Sequence, residues 1–370
     1  MIRVLHSVSY MHRAGVETFL MNYYRNIDRS LVQFDFLCNK QMIGDYDEEI
    51  RHLGGRIFYR PNNGLMVEAE YVSFWKKLIG EHPEIQILHA HNGAKQAFPL
   101  EGAQLAGLPI RIAHAHSTDF VHDEKYLRRL ELIRKIPAVA NYYFGCSKQA
   151  GEFFFGSKLW EENGVQVRNA IPCRLFEFDQ KIRNEIREKL DIEKKFVVGH
   201  VGRFMKQKNH VRLLEIFSDL CKIRKDARLL LIGVGELEEE IKRYAISLGI
   251  HNRVIFCGEQ EKMHKWYQAM DVFVMPSLFE GLTLSGIEAQ ASGLPCIFSD
   301  AVSKETKVID NVRFVSLNSD NSIWCDNILQ FQFINRKSKL KSIRAVGYDI
   351  EQEAEKLQNI YISLVEKLDS

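Results

Sequence analysis

The chain is 370 residues long, 46% hydrophobic and 26% charged, with Gly 23 and Pro 8; that profile excludes disordered and collagen-like classes, and the length asks for two domains, since one domain usually holds about 100–200 residues. Lys and Arg number 50 against 48 Asp and Glu, a net charge of +2, which argues against a dedicated nucleic-acid binder because phosphate contacts need a clear basic excess. No apolar run reaches the roughly 20 residues of a membrane helix, the start lacks the apolar core of a signal peptide, and the cysteines at 38, 146, 173, 221, 257, 296 and 325 form no CxxC pair, as expected of a cytoplasmic protein with reduced thiols.

From the amino terminus onward, a short apolar run, a turn and a helical segment repeat. The first candidate strands are Arg3–Val8, Phe34–Cys38, Arg56–Tyr59, Ile87–Ala90, Arg111–Ala115, Tyr142–Cys146 and Val165–Arg168, with helical spacing over stretches such as Thr18–Asn26 and Val72–Ile79. Strands rich in β-branched and aromatic residues, separated by helices, predict βαβ units and a parallel sheet. This first domain is expected over residues 1–170. Residues 171–195 are polar and charge-rich, with Pro172, and are expected to be a linker carrying one helix. A second domain over 196–350 repeats the theme with strands Phe196–Val201, Arg228–Ile232, Val254–Cys257, Val272–Met275, Cys296–Ser299 and Phe314–Leu317. Leu213, Phe217 and Leu220, then Leu237, Ile241, Tyr244 and Leu248, make apolar stripes at helical spacing. Residues 351–369 form a last helix, with Ala354, Leu357, Ile360, Tyr361 and Leu364 apolar. It is expected to pack away from the second domain's centre, and a return to the first domain is open. The fold class is α/β, two Rossmann-like doubly wound domains. Ligands of such sheets bind beyond the carboxyl ends of the strands, so a cleft between the domains is the default site.

Four stretches carry chemistry. Phe279 to Ala291 follows a strand and opens a helix, with Glu280 expected in the loop and Glu288 about two turns into the helix. A carboxylate beside Ile287 and Ala289 is costly unless something satisfies it; the vicinal hydroxyls of a ribose can, and helix-start amides can hold a diphosphate. A solvated glutamate with a dipole-friendly first turn is the competing reading. In Gly199 to His210 a strand ends, Gly202 permits a sharp turn, and Arg203 and Lys208 can converge on a pyrophosphate; a solvated basic loop is the alternative. Gly15, in the first strand-to-helix turn, lets backbone approach a ligand. The triplets His89/His91 and His114/His116 each put two imidazoles on one strand face, but no third ligand is evident and no metal site is expected. Asp45-Tyr46-Asp47 has the form of a metal-binding D-x-D, yet Glu48 and Glu49 follow it, so an acidic helix start is the reading. Residues 125–135 alternate basic and apolar side chains at helical spacing, which fits either an anionic membrane surface or a solvated helix.

Taken together the chain resembles the family four retaining glycosyltransferases of GT-B architecture. The resemblance rests on Glu280 to Glu288, the Gly202-Arg203 to Lys208 loop, the Gly-Val-Glu turn at 15–17 and Gly233-Val234-Gly235. It is also similar to bacterial exopolysaccharide and capsule glycosyltransferases, in Phe34-Asp-Phe-Leu, His114-Ala-His-Ser, Asp271-Val-Phe-Val-Met-Pro-Ser and Glu288-Ala-Gln-Ala-Ser-Gly-Leu-Pro. The resemblance implies a hexosyltransferase with a nucleotide-sugar donor, typically UDP-linked, and a lipid-linked saccharide acceptor. No cofactor or metal is implied, and catalysis at the inner membrane face is expected. Residue by residue it implies that Glu288 holds the ribose, Arg203 and Lys208 the diphosphate with Gly15 approaching it, Glu280 with the amides near Thr283 and Leu284 the transferred sugar and phosphate, and that His116 is an active-site group. Two departures stand out: the usual Gly-Gly turn is Ala14-Gly15, and Thr283–Ser285 are less apolar than usual. A sugar-nucleotide epimerase of the same architecture and a non-catalytic assembly component are the alternatives.

Overall fold

The computed structural model describes residues 1–61, 68–120 and 122–368. The chain forms two units, one of Met1–Ile171 with Ile350–Ser370 and the other of Pro172–Asp349. In the first unit, strands β1 (Ile2–Val8), β2 (Val32–Cys38), β3 (Ile57–Tyr59), β4 (Ile85–Ala90), β5 (Ile110–Ala115), β6 (Tyr142–Gly145) and β7 (Gly164–Gln166) make one sheet in the order β3-β2-β1-β4-β5-β6-β7. Every pair is parallel, and His6 of β1 stands beside His89 of β4. In the second unit, β8 (Phe196–Val201), β9 (Ala227–Ile232), β10 (Val254–Phe256), β11 (Val272–Met275), β12 (Cys296–Ser299) and β13 (Val312–Val315) follow the order β10-β9-β8-β11-β12-β13, again all parallel. Both sheets are covered by helices on both faces, which is why their strands read as nearly continuous apolar runs. The strand order reverses at β1/β4 in one unit and at β8/β11 in the other, the switch points where open α/β sheets bind ligands.

Each unit has its own core. Phe19, Leu20, Tyr23 and Tyr24 of the helix Gly15–Asn26 pack with Phe34, Phe36 and Ile87 under the first sheet. Leu213, Leu214, Phe217 and Leu220 do the same with Val198, Leu229 and Val272 in the second. The last helix, Ile350–Glu366, belongs to the first unit: Leu357, Tyr361, Leu364 and Val365 are buried in its core, and Gln358 Oε1 accepts the Asp28 amide at 2.7 Å.

The segment expected as a linker departs from that reading. Residues 172–195 belong to the second unit and carry two helices, Cys173–Phe176 and Gln180–Lys189, the longer capped by the Asp179 carboxylate. Arg187 is buried and donates to Ala269 O at 2.8 Å and Asp271 Oδ2 at 3.2 Å, while Arg183 donates to Asp271 Oδ1 at 2.5 Å. Guanidinium contacts to backbone carbonyls and to the Asp271 carboxylate, not apolar burial, dock this helix, so its sequence reads as solvent-facing.

Candidate active site

Two loops meet at the switch point of the second unit. After β8, the Gly202 amide donates to Ile232 O at 3.0 Å, and Gly233 adopts a φ of 139°. A Cβ on Gly233 would stand 2.2 Å from Gly202 O, and one on Gly235 2.4 Å from Phe204 O, so the Gly-Val-Gly turn nests against 202–204 only because it lacks side chains there. A single helical turn, Lys206–Lys208, follows, ending at left-handed Asn209, whose Nδ2 donates to Pro276 O at 3.0 Å. The Lys208 stem lies over Gly202, within 3.2 Å of where a Cβ would be. Arg203 is exposed and pairs with no carboxylate among the described residues.

After β11 the chain is zipped to this loop: the Leu278 amide donates to Gln207 O at 2.8 Å and Gln207 Nε2 to Phe279 O at 3.0 Å. Glu280 is fixed by its backbone, its amide donating to Ala301 O at 3.2 Å and its carbonyl accepting from Ser303 at 3.0 Å. Its carboxylate takes Lys208 Nζ at 2.5 Å. Thr283 caps the helix Leu284–Ala291, Oγ1 accepting from the Gly286 amide at 3.4 Å. The first amides of that helix have no intrahelical acceptor and add the positive end of the dipole. Because the helix begins at Leu284, Glu288 is its fifth residue, one turn in rather than two. The Tyr267 hydroxyl donates to Glu288 Oε2 at 2.8 Å. Desolvation raises the Glu288 carboxyl to about 7, with Tyr267 pulling the other way. The structure therefore brings Arg203, Lys208, Glu280, Thr283, Leu284 and Glu288 to the ends of two neighbouring strands. Tyr267 was not legible as a site residue, since it lies on another helix, Met263–Ala269.

The first unit places its own predicted residues at strand ends. Gly15 begins the helix after β1, and a Cβ there would meet nothing within 4 Å, so the room it leaves faces open space. His116 follows β5, half-buried; its Nε2 lies 2.8 Å from His91 Nδ1 and its ring stacks on His114 at 4.0 Å. Burial lowers His116 to about 3, so it is a neutral imidazole. The two histidine triplets lie side by side, and His6, a lone strand histidine in the sequence, joins them with Nδ1 at 3.0 Å from His91 Nε2. The D-x-D aspartates have structural partners: Asp45 Oδ2 accepts the Arg13 amide at 2.9 Å and Asp47 Oδ2 the Tyr59 hydroxyl at 3.0 Å. The basic stretch is the helix Tyr126–Val139, with Ile133 and Ile136 buried, Lys125, Arg128, Arg134 and Lys135 exposed, and Leu127 72% exposed.

Residues 182–321 match the sequence model of a family described as Glycosyl transferases group 1. A putative glycosyltransferase of Bacillus subtilis (strain 168), EpsF, is 36% identical to the chain, over 99% of this chain and 97% of its own. The chain belongs to the group 1 glycosyltransferases. This glycosyltransferase is also 24% identical to the UDP-Gal:alpha-D-GlcNAc-diphosphoundecaprenol alpha-1,3-galactosyltransferase of Escherichia coli, covering 91% of this chain and 93% of the other. Its fold is shared with Anabaena Alr3699/HepE, solved in complex with UDP and glucose, at a TM-score of 0.75 and 16% identity over the whole of both chains. The tandem parallel sheets are thus the GT-B architecture of a hexosyltransferase.

Proposed function

We propose that this glycosyltransferase moves a hexose from a UDP-sugar to a lipid-linked saccharide during exopolysaccharide or capsule synthesis, with retention at the anomeric carbon. The observation that carries the donor reading is the cluster at the ends of β8 and β11. Among the described residues, an Arg203 that pairs with no carboxylate, Lys208 held by Glu280, and helix-start amides stand one helical turn from a Glu288 carboxyl whose side-chain partner is Tyr267. That set matches a nucleoside diphosphate: cations and amides for the diphosphate, Glu288 for the ribose hydroxyls, Glu280 with Thr283 and Leu284 for the sugar. The acceptor hydroxyl attacks the anomeric carbon as the bond to the diphosphate oxygen breaks, and that oxygen takes the hydroxyl proton. Fixed charge stabilises the departing UDP, so turnover is independent of added Mg2+. From the first unit the reading takes Gly15 for the diphosphate and His116 as an active-site group, both assigned by the family resemblance. The named Escherichia coli relative supports a lipid diphosphate acceptor, and EpsF supports the broader class.

A screen of nucleotide sugars for turnover and thermal stabilisation tests the reading. Binding at about 100 times Kd stabilises a fold by about 2.7 kcal/mol. UDP is expected to raise the melting temperature of the wild type and to lose that effect in Glu288→Ala and Lys208→Ala. Retained stabilisation in both variants overturns the donor assignment, and a free epimerised nucleotide sugar without transfer overturns the reaction.

A further inference from the structure

Lys208 Nζ and Glu280 Oε1 hold each other at 2.5 Å, yet the donor reading gives the ammonium to a diphosphate and the carboxylate to the transferred sugar. Their ion pair has to open for both, and a mostly buried ammonium needs partners for the N–H groups it frees. The protein holds an acceptor in reserve. His200, the fifth residue of β8, is fully buried, and its Nδ1 lies 2.8 Å from Val274 O of β11. A carbonyl only accepts, so Nδ1 carries the proton of the neutral ring and Nε2 is a bare lone pair. That nitrogen is buried without a hydrogen-bond partner among the described residues. It borders a space that Gly202 leaves open. A Cβ on Gly202 would stand 3.1 Å from His200 Nε2, and 3.2 and 3.3 Å from Lys208 Cδ and Cε. Gly202 is not among the left-handed glycines, so what asks for glycine there is this shared space and not the turn.

We propose that His200 is a positioning residue for Lys208: when a diphosphate draws the ammonium off Glu280, His200 Nε2 accepts one of its N–H groups, and Glu280 is freed for the sugar. The inference rests on the donor reading and adds to it a handover between two acceptors. An ammonium is a point charge with three rotatable donors on a flexible stem. One N–H goes to the imidazole, and the others remain for phosphate oxygens. The Lys208 stem already lies over Gly202, so the handover asks for rotation of one side chain and leaves the loop in place. Burial, with the Lys208 charge adding to it, lowers His200 to about 4, which keeps the ring neutral and its lone pair free. His210, also buried, stands edge-on to His200 at 4.8 Å and stacks on Phe204 at 4.3 Å. Burial keeps it uncharged as well, so these two rings bring no charge of their own beneath the lysine.

The test measures UDP binding to the full chain by calorimetry, in a double-mutant cycle of His200→Asn and Lys208→Met. The first substitution keeps an N–H for Val274 O and removes the lone pair; the second keeps the stem and removes the ammonium. His200→Asn is expected to weaken UDP binding roughly tenfold in the otherwise wild-type chain, as befits one hydrogen bond to a charged group. In the Lys208→Met background it is expected to change nothing. His200→Gln, whose amide oxygen returns an acceptor near the Nε2 position, is expected to recover most of the loss. An equal loss in both backgrounds, or none in either, overturns the handover and leaves His200 a structural residue. UDP binding unchanged in Lys208→Met overturns instead the donor reading beneath it. If His200→Asn misfolds, a crystal structure of the wild type with UDP decides. Lys208 Nζ within hydrogen-bond distance of His200 Nε2 is expected there; an ammonium still on Glu280, or a water on that nitrogen, overturns the proposal.

Discussion

Glu288 makes a testable connection between burial and ligand binding. Its carboxyl is raised from 4.5 to about 7 because folding desolvates it. In the ligand-free protein the folded state therefore holds the proton more tightly than the unfolded chain. The stability this gives is full below about 4.5 and is lost as pH rises to about 7. Ribose hydroxyls donate best to the ionised form, so the affinity for uridine, which carries no titrating phosphate, is expected to rise roughly tenfold between about pH 6 and pH 8. Glu288→Gln is expected to bind weakly and without that slope; a pH-independent wild type sinks the ribose assignment. Gly233→Ala tests the nested loops. A Cβ there lies 2.2 Å from Gly202 O, on a backbone at φ 139° that alanine rarely adopts. It is expected to cost more than about 1 kcal/mol in denaturant unfolding and to weaken UDP binding by displacing Arg203. The glutamates and cations of this site were legible because their spacing and position after apolar runs survive in one dimension. Tyr267 and His6 were not, because what makes each matter is a neighbour brought from 21 and 85 residues away.

At the scale of elements, every strand expected from the sequence is present, with ends shifted by at most two residues. Strands buried on both faces announce themselves by apolar runs alone. The one helix expected within 171–195 is present as Gln180–Lys189, but its docking on the second unit was not legible, since it is tied down through Asp271, whose carboxylate takes Arg183, Arg187 and the Val197 amide. Asp271→Asn leaves two guanidinium groups without their counter-charge. It is expected to destabilise the second unit by about 3 kcal/mol, read from chemical unfolding; a loss near zero would show that the carbonyl contacts suffice. Tyr361→Phe removes a hydroxyl from His89 while keeping the ring. A loss of about 1–3 kcal/mol is expected, against about 3–5 for Tyr361→Ala.

For the whole molecule, the charge balance conceals local use: cations gather in the 203–208 loop and on the helix Tyr126–Val139, whose Leu127 is exposed. No helix among the described residues is long and apolar enough to cross a membrane; surface contact through the basic helix is the route we propose to the proposed lipid-linked acceptor. Sedimentation with anionic liposomes is expected to retain the protein at low salt and release it at high salt. A reversal of Lys125, Arg128, Arg134 and Lys135 to glutamate should abolish retention. Binding indifferent to salt or to that variant would refute the surface role.

The last helix sets an order of assembly during synthesis. Residues 172–349 are continuous and can fold as soon as they leave the ribosome, whereas the first unit lacks Leu357, Tyr361 and Leu364 until the final turns emerge. The half made first is thus the half completed last, and a chain stopped at Asp349 would carry a finished second unit and a first unit with an apolar groove that invites chaperones and proteases.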